Sequence, residues 1–135
     1  MIALQEILDK IKPFVIAWTT PPSGVYTPSL TNTTNISAST AYECQWARVG
    51  NMVIVSGQVG IDPTAAGACI LTMSIPVAST FTAQWQLGGT AESNGELPCR
   101  IRGSTSAYAA VFQFAATAST LGNQIFYFIF SYRVV

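Results

Sequence analysis

The sequence predicts an all-β protein: a jelly-roll-like antiparallel β-sandwich of about eight strands, preceded by one short N-terminal helix. Three observations carry this reading. Beyond residue 24, apolar and polar residues alternate along many short runs. Turn signals such as Gly50-Asn51, Asn94-Gly95 and Leu121-Gly122-Asn123 separate those runs. Helical spacing occurs once, at the N terminus, where Leu4, Ile7, Leu8 and Ile11 share a stripe.

The helix is expected over residues 2–12, with Gln5, Glu6, Asp9, Lys10 and Lys12 filling its polar face. Pro13 stops it, because a proline ring restricts the residue before it and has no amide to donate. A helix this short is marginal alone in water, so its stripe must dock on its own domain, on another protein or on copies of itself. Leu4, Ile7, Leu8 and Ile11 are therefore the candidate anchor and oligomer-interface residues of this segment. Thr19-Thr20-Pro21-Pro22-Ser23-Gly24 follows as a stiff, extended connector. It divides the chain into residues 1–23, an anchoring or oligomerising segment, and residues 24–135, the β-sandwich.

Strands are expected at Tyr26–Thr27, Leu30–Ser37, Tyr42–Val49, Met52–Ile61, Cys69–Ile75, Trp85–Glu92, Leu97–Arg102, Tyr108–Ala116 and Gln124–Val135. The polar run Thr31-Asn32-Thr33-Thr34-Asn35 suits an exposed edge strand or loop. In the fourth run, Val53, Val55, Val59 and Ile61 share one face. The last run differs from the others. Phe126, Phe128, Phe130 and Tyr132 lie on one face, while Ile125, Tyr127 and Ile129 lie on the other. A strand with one wet face should alternate apolar with polar. This one is expected to be covered on both faces, the second by another subunit or, as the alternative, by the N-terminal helix or a long loop. Phe128 and Ile129 are accordingly candidate interface residues, and a homotrimer is the expected assembly.

Composition excludes several function classes. Of 135 residues only 9% are charged, against roughly 25% in an ordinary soluble domain. Six basic and six acidic residues cancel, so a nucleic-acid partner held through phosphates is not expected. There is no histidine, which removes its acid–base and zinc-ligand chemistry. No cofactor and no enzymatic activity are expected. The most apolar segment, Ile125 to Phe130, is far short of the roughly 20 residues of a membrane helix, so no membrane insertion is expected. Glu6 and Asp9 interrupt any signal-peptide pattern. Cys44, Cys69 and Cys99 form no C-x-x-C pair and read as free buried thiols of a protein made in a reducing cytosol. Glu92 and Glu96, which bracket Asn94-Gly95, read as the wet tip of a hairpin. Among the tryptophans, Trp46 belongs to a core face and Trp18 to the helix–linker junction. Trp85, near a loop, is the candidate platform for stacking a glycan.

Several segments resemble one family. Tyr26-Thr27-Pro28-Ser29-Leu30-Thr31-Asn32, Ser37-Ala38-Ser39-Thr40-Ala41-Tyr42 and Arg48-Val49-Gly50-Asn51-Met52-Val53-Ile54-Val55-Ser56-Gly57 occur in order. Ile61-Asp62-Pro63-Thr64, Ile75-Pro76-Val77-Ala78-Ser79, Leu87-Gly88-Gly89-Thr90-Ala91 and Phe130-Ser131-Tyr132-Arg133-Val134-Val135 continue the series. This order is similar to the C-terminal β-sandwich domain of tailed-bacteriophage tail fibres, over roughly residues 24–135. The resemblance implies a non-enzymatic, trimeric virion protein made in the host bacterial cytoplasm. It further implies a short fibre or tip-type knob contacting a host-surface glycan or protein, with residues 1–23 reaching other virion proteins. A capsid decoration or head-fibre protein is the alternative role, and a carbohydrate-binding module the third.

Overall fold

The computed structural model describes residues 3–7, 10 and 22–135. Residues 4–7 are helical, with the amides of Glu6 and Ile7 donating to the Ala3 carbonyl at 3.1 and 3.3 Å. The remainder is antiparallel β structure, so the expected all-β class with one N-terminal helix holds. Leu8 and Ile11 of the predicted stripe, the stop at Pro13, Trp18 and the connector up to Pro21 lie outside the described residues.

Ten strands follow: β1 (Ser23–Tyr26), β2 (Leu30–Thr34), β3 (Ile36–Ala41), β4 (Cys44–Val49), β5 (Met52–Pro63), β6 (Gly67–Met73), β7 (Leu87–Ser93), β8 (Pro98–Gly103), β9 (Ala110–Ala116) and β10 (Gln124–Arg133). They form one sheet in the order β1-β4-β5-β10-β7-β8-β9-β6-β2, with β3 also on β5. β5 is long enough to carry β4 along its first half and β3 along its second. The sheet curls, so that β9 faces β10 across the interior although two strands separate them in the sheet. Phe112 meets Phe128 and Phe130 edge-on at 5.2 and 6.4 Å, and Phe114 meets Phe126 at 4.6 Å. Such ring pairs add about 0.5–1.5 kcal/mol each beyond the area they bury. β2 and β3 come together at the far side, where the Ser39 hydroxyl donates to the Asn32 side chain.

The count rises from about eight to ten partly because Leu30–Ser37 is two strands. Asn35 breaks it with φ of 56°, a left-handed value that asparagine tolerates better than most residues. Its amide then bridges to the β5–β6 turn: Nδ2 donates to the Ala65 carbonyl at 2.8 Å, and Oδ1 accepts from the Ala65 amide at 3.1 Å. β2 lies at the sheet edge with most of its residues exposed, as its polar sequence anticipates.

Alternation puts Val53, Val55, Val59 and Ile61 of β5, Phe126, Phe130 and Tyr132 of β10, and Leu71 and Met73 of β6 inside, each essentially without exposure. Gly57 interrupts the β5 row because Cys44 fills its place; a Cβ there would stand 2.6 Å from the Cys44 sulfur. The three cysteines are free and buried.

Candidate functional site

Two surfaces stand out once the register is followed across the sheet. The first is the outer face of β1, β4, β5, β10 and β7. Val25 pairs with Gln45, Gln45 with Ser56, Ser56 with Ile129, and Ile129 with Thr90, giving one outward row of five residues without a charge. The adjacent row runs Ser23, Ala47, Ile54, Ser131 and Gly88. Val49, Met52 and Arg133 extend the face at one end; Gln58, Tyr127 and Glu92 extend it at the other. Val25, Val49, Met52, Ile54, Tyr127 and Ile129 are all exposed, Tyr127 at 59% and Ile129 at 53%. Ordinary surfaces scatter such side chains singly. Here six share one sheet face, whose acids are Glu43, beside Val25 and Gln45, and Glu92, and whose base is Arg133.

The structure separates the two candidate residues of the last strand. Ile129 points outward. Phe128 is 5% exposed and sits in the core of its own chain, stacked on Phe130 and edge-on to Phe112. Successive side chains of a strand project to opposite sides, so neighbours in sequence cannot both serve one outer face. Phe128 is therefore a core residue, a correction to its reading as an interface contact. Leu4 and Ile7 are exposed at 71% and 45%. The sequence reading missed Val49, Met52 and Ile54 as surface residues. The signal was present: Met52-Val53-Ile54-Val55 is apolar on both parities, the same pattern that marked the last strand.

The second surface surrounds the turn Gln84–Gln86, a short 3-10 element ahead of β7. Trp85 is 80% exposed there. The turn is braced by Gln86, whose Oε1 accepts from the Thr82 and Ala83 amides at 2.8 and 3.3 Å. Its Nε2 donates to the Thr82 hydroxyl at 3.1 Å. Phe81 before the turn and Leu87 after it are both buried. Beside the turn runs a trough of about 460 Å³, lined by Thr31, Thr33, Thr72, Gln84, Arg102 and Ser104 among others. Arg102, Val111, Thr72 and Thr31 are successive register partners and form its floor across four strands.

Trp46 is half-buried against the core, its indole lying over Gly24. Glu92 and Glu96 are exposed at either side of the β7–β8 hairpin, where the Ser93 hydroxyl accepts from the Gly95 and Leu97 amides. Arg100 shares Arg102's outer face and donates to Gln113 at 2.8 Å. Burial raises the thiols of Cys44, Cys69 and Cys99, the last to about 12, which suppresses the reactive thiolate. Among the described residues no group of three or more Cys, Asp or Glu side chains is arranged to hold a metal. No helix among them is long and apolar enough to cross a membrane.

In comparisons with known proteins, no family model matches the chain, and no curated protein or solved structure is significantly similar to it.

Proposed function

We propose that this chain is a non-enzymatic structural protein of a tailed-phage virion, a short fibre or tip-type knob that assembles as a homotrimer. Residues 1–23 attach it to other virion proteins, and the β domain faces the host surface. The observation that carries the reading is the outer face around Ile129. Six exposed apolar side chains on one sheet face, in a chain with only 9% charge, are what a subunit presents to its own copies. The charges on that face are few: Glu43 and Glu92 as acids, and Arg133 at the opposite end from Glu92. The ordered segments resembling tail-fibre C-terminal domains support the virion assignment, and the exposed Leu4 and Ile7 support a docking role for the helix.

Light scattering of the purified chain tests the assembly and should give three times 14.4 kDa. A monomer at micromolar concentration overturns it. Peptide mass spectrometry of purified phage particles tests the assignment itself. The chain should be present in them in multiples of three copies, and its absence from particles refutes the virion role.

A further inference from the structure

We infer that Trp85 and the adjoining trough form a carbohydrate site that takes a pyranose sugar, with the ring's apolar C–H face on the indole and its hydroxyls along the trough. The exposure of Trp85 does not come from a loose loop. Gln86 holds the turn through three hydrogen bonds, and Phe81 packs edge-on to Tyr132 at 5.8 Å on one side of it. Leu87 is buried on the other side. An indole kept in water by a rigid turn is a preorganised platform, since binding then orders little.

The trough supplies what a stacked sugar needs next. Gln84 lines it and directly precedes Trp85, so the trough and the indole share the Gln84–Gln86 turn. Thr31, Thr33, Thr72 and Ser104 contribute hydroxyls that both donate and accept, while Gln84 adds an amide and Arg102 a donor-only guanidinium. Thr33 and Thr72 already pair at 2.9 Å, which fixes both hydroxyls on the floor. A volume of about 460 Å³ falls within the range of small-molecule sites and accommodates one or two sugar rings. Ile70, Ala107 and Val111 add apolar surface to the lining, as the C–H faces of a sugar require. A single guanidinium in a chain of zero net charge does not hold a nucleic-acid backbone.

The test titrates the full-length protein with three disaccharides, cellobiose, diacetylchitobiose and digalacturonate, followed by the NMR signals of the Trp85 indole and of Thr31 and Thr72. At least one should bind with a dissociation constant of about 1 mM or below. Trp85→Ala should weaken that binding about tenfold or more, the scale of one lost stacking contact. Trp85→Phe should restore part of it, and both variants should keep the parent melting temperature because the side chain lies outside the core. Preference for digalacturonate over the neutral pair would assign Arg102 to a sugar carboxylate. Three silent titrations overturn the proposal, as does full affinity in Trp85→Ala. A fall in molar mass of Trp85→Ala also overturns it, because the indole would then be an assembly contact. The inference does not rest on the virion reading: silent titrations leave the molar mass and the particle composition as measured.

Discussion

The Tyr132 hydroxyl holds both backbone groups of Val77, accepting from its amide at 3.0 Å and donating to its carbonyl at 2.8 Å. The ring lies inside the core with no exposure, so the last strand pins the segment that leads from β6 to the Trp85 turn. Tyr132→Phe keeps the packing and strands both Val77 groups. It should cost about 1–3 kcal/mol in urea unfolding. An unchanged midpoint would mean that the segment is held by other contacts.

Phe128 and Ile129 should respond oppositely to the same charge. Phe128→Lys buries an ammonium between Phe112 and Phe130, and several kcal/mol of desolvation cost should abolish folding. Ile129→Lys places its charge on the outer face, where one chain leaves it in water. Circular dichroism should show a folded β protein, and light scattering should show the proposed trimer dispersed. A trimer that survives Ile129→Lys would remove that face from the interface.

Gly89 has no room for a methyl group. A Cβ there would meet the Ile129 carbonyl oxygen and stand 2.5 Å from the Phe130 Cβ, its register partner on β10. Gly89→Ala should therefore push β7 away from β10 and cost about 1–3 kcal/mol. Gly88→Ala, next to it and facing open space, serves as the control. Equal thermal melts for the two variants would contradict the close approach of the strands.

Alkali should destabilise the fold. Burial raises Cys99 from an ordinary 9.0 to about 12 and Tyr132 from 10.0 to about 12. Tyr26 moves the same way through burial, then through Cys44 and Tyr132. In each case the folded state favours the neutral form, and the unfolded chain gives up its proton first. The stabilisation is complete below about pH 9 and is lost as pH climbs towards about 12. Urea midpoints measured in reductant should fall across that window. A flat profile from pH 8 to 11 would show that these groups reach solvent in the folded state.

A chain beginning at Pro22 should keep the β domain intact. It retains the Pro22 carbonyl that accepts from the Arg48 amide at 2.5 Å, and with it the pairing of β1 on β4. Its melt should stay cooperative, and the incorporation into phage particles proposed above should be lost with Leu4, Ile7, Leu8 and Ile11. Loss of the β transition would assign that stripe to the core.

Much of the architecture is legible from local pattern alone. A two-residue period is a property of each strand, so Phe126, Phe128, Phe130 and Tyr132 declare a common side without knowledge of any neighbour. The turns at Gly50-Asn51 and Leu121-Gly122-Asn123 are equally local, since Gly50 and Gly122 take φ of 59° and 95° that few other residues accept. Period does not say which side is the interior. That is decided by the curl of the sheet, which brings β9 over β10 and makes Phe128 core while leaving Ile129 outside. Nor does local pattern reveal a surface assembled from distant segments. Met52 and Ile54 join the face of Tyr127 and Ile129 only because β5 pairs with β10, and Thr31 reaches Arg102 only through β6 and β9. The β class, the parity of each strand and the turns follow from residue order, because they depend on the backbone of a few adjacent residues. The interior, the apolar outer face and the trough beside the Gln84–Gln86 turn exist only in the folded sheet, because hydrogen-bond register joins residues that the chain itself keeps far apart.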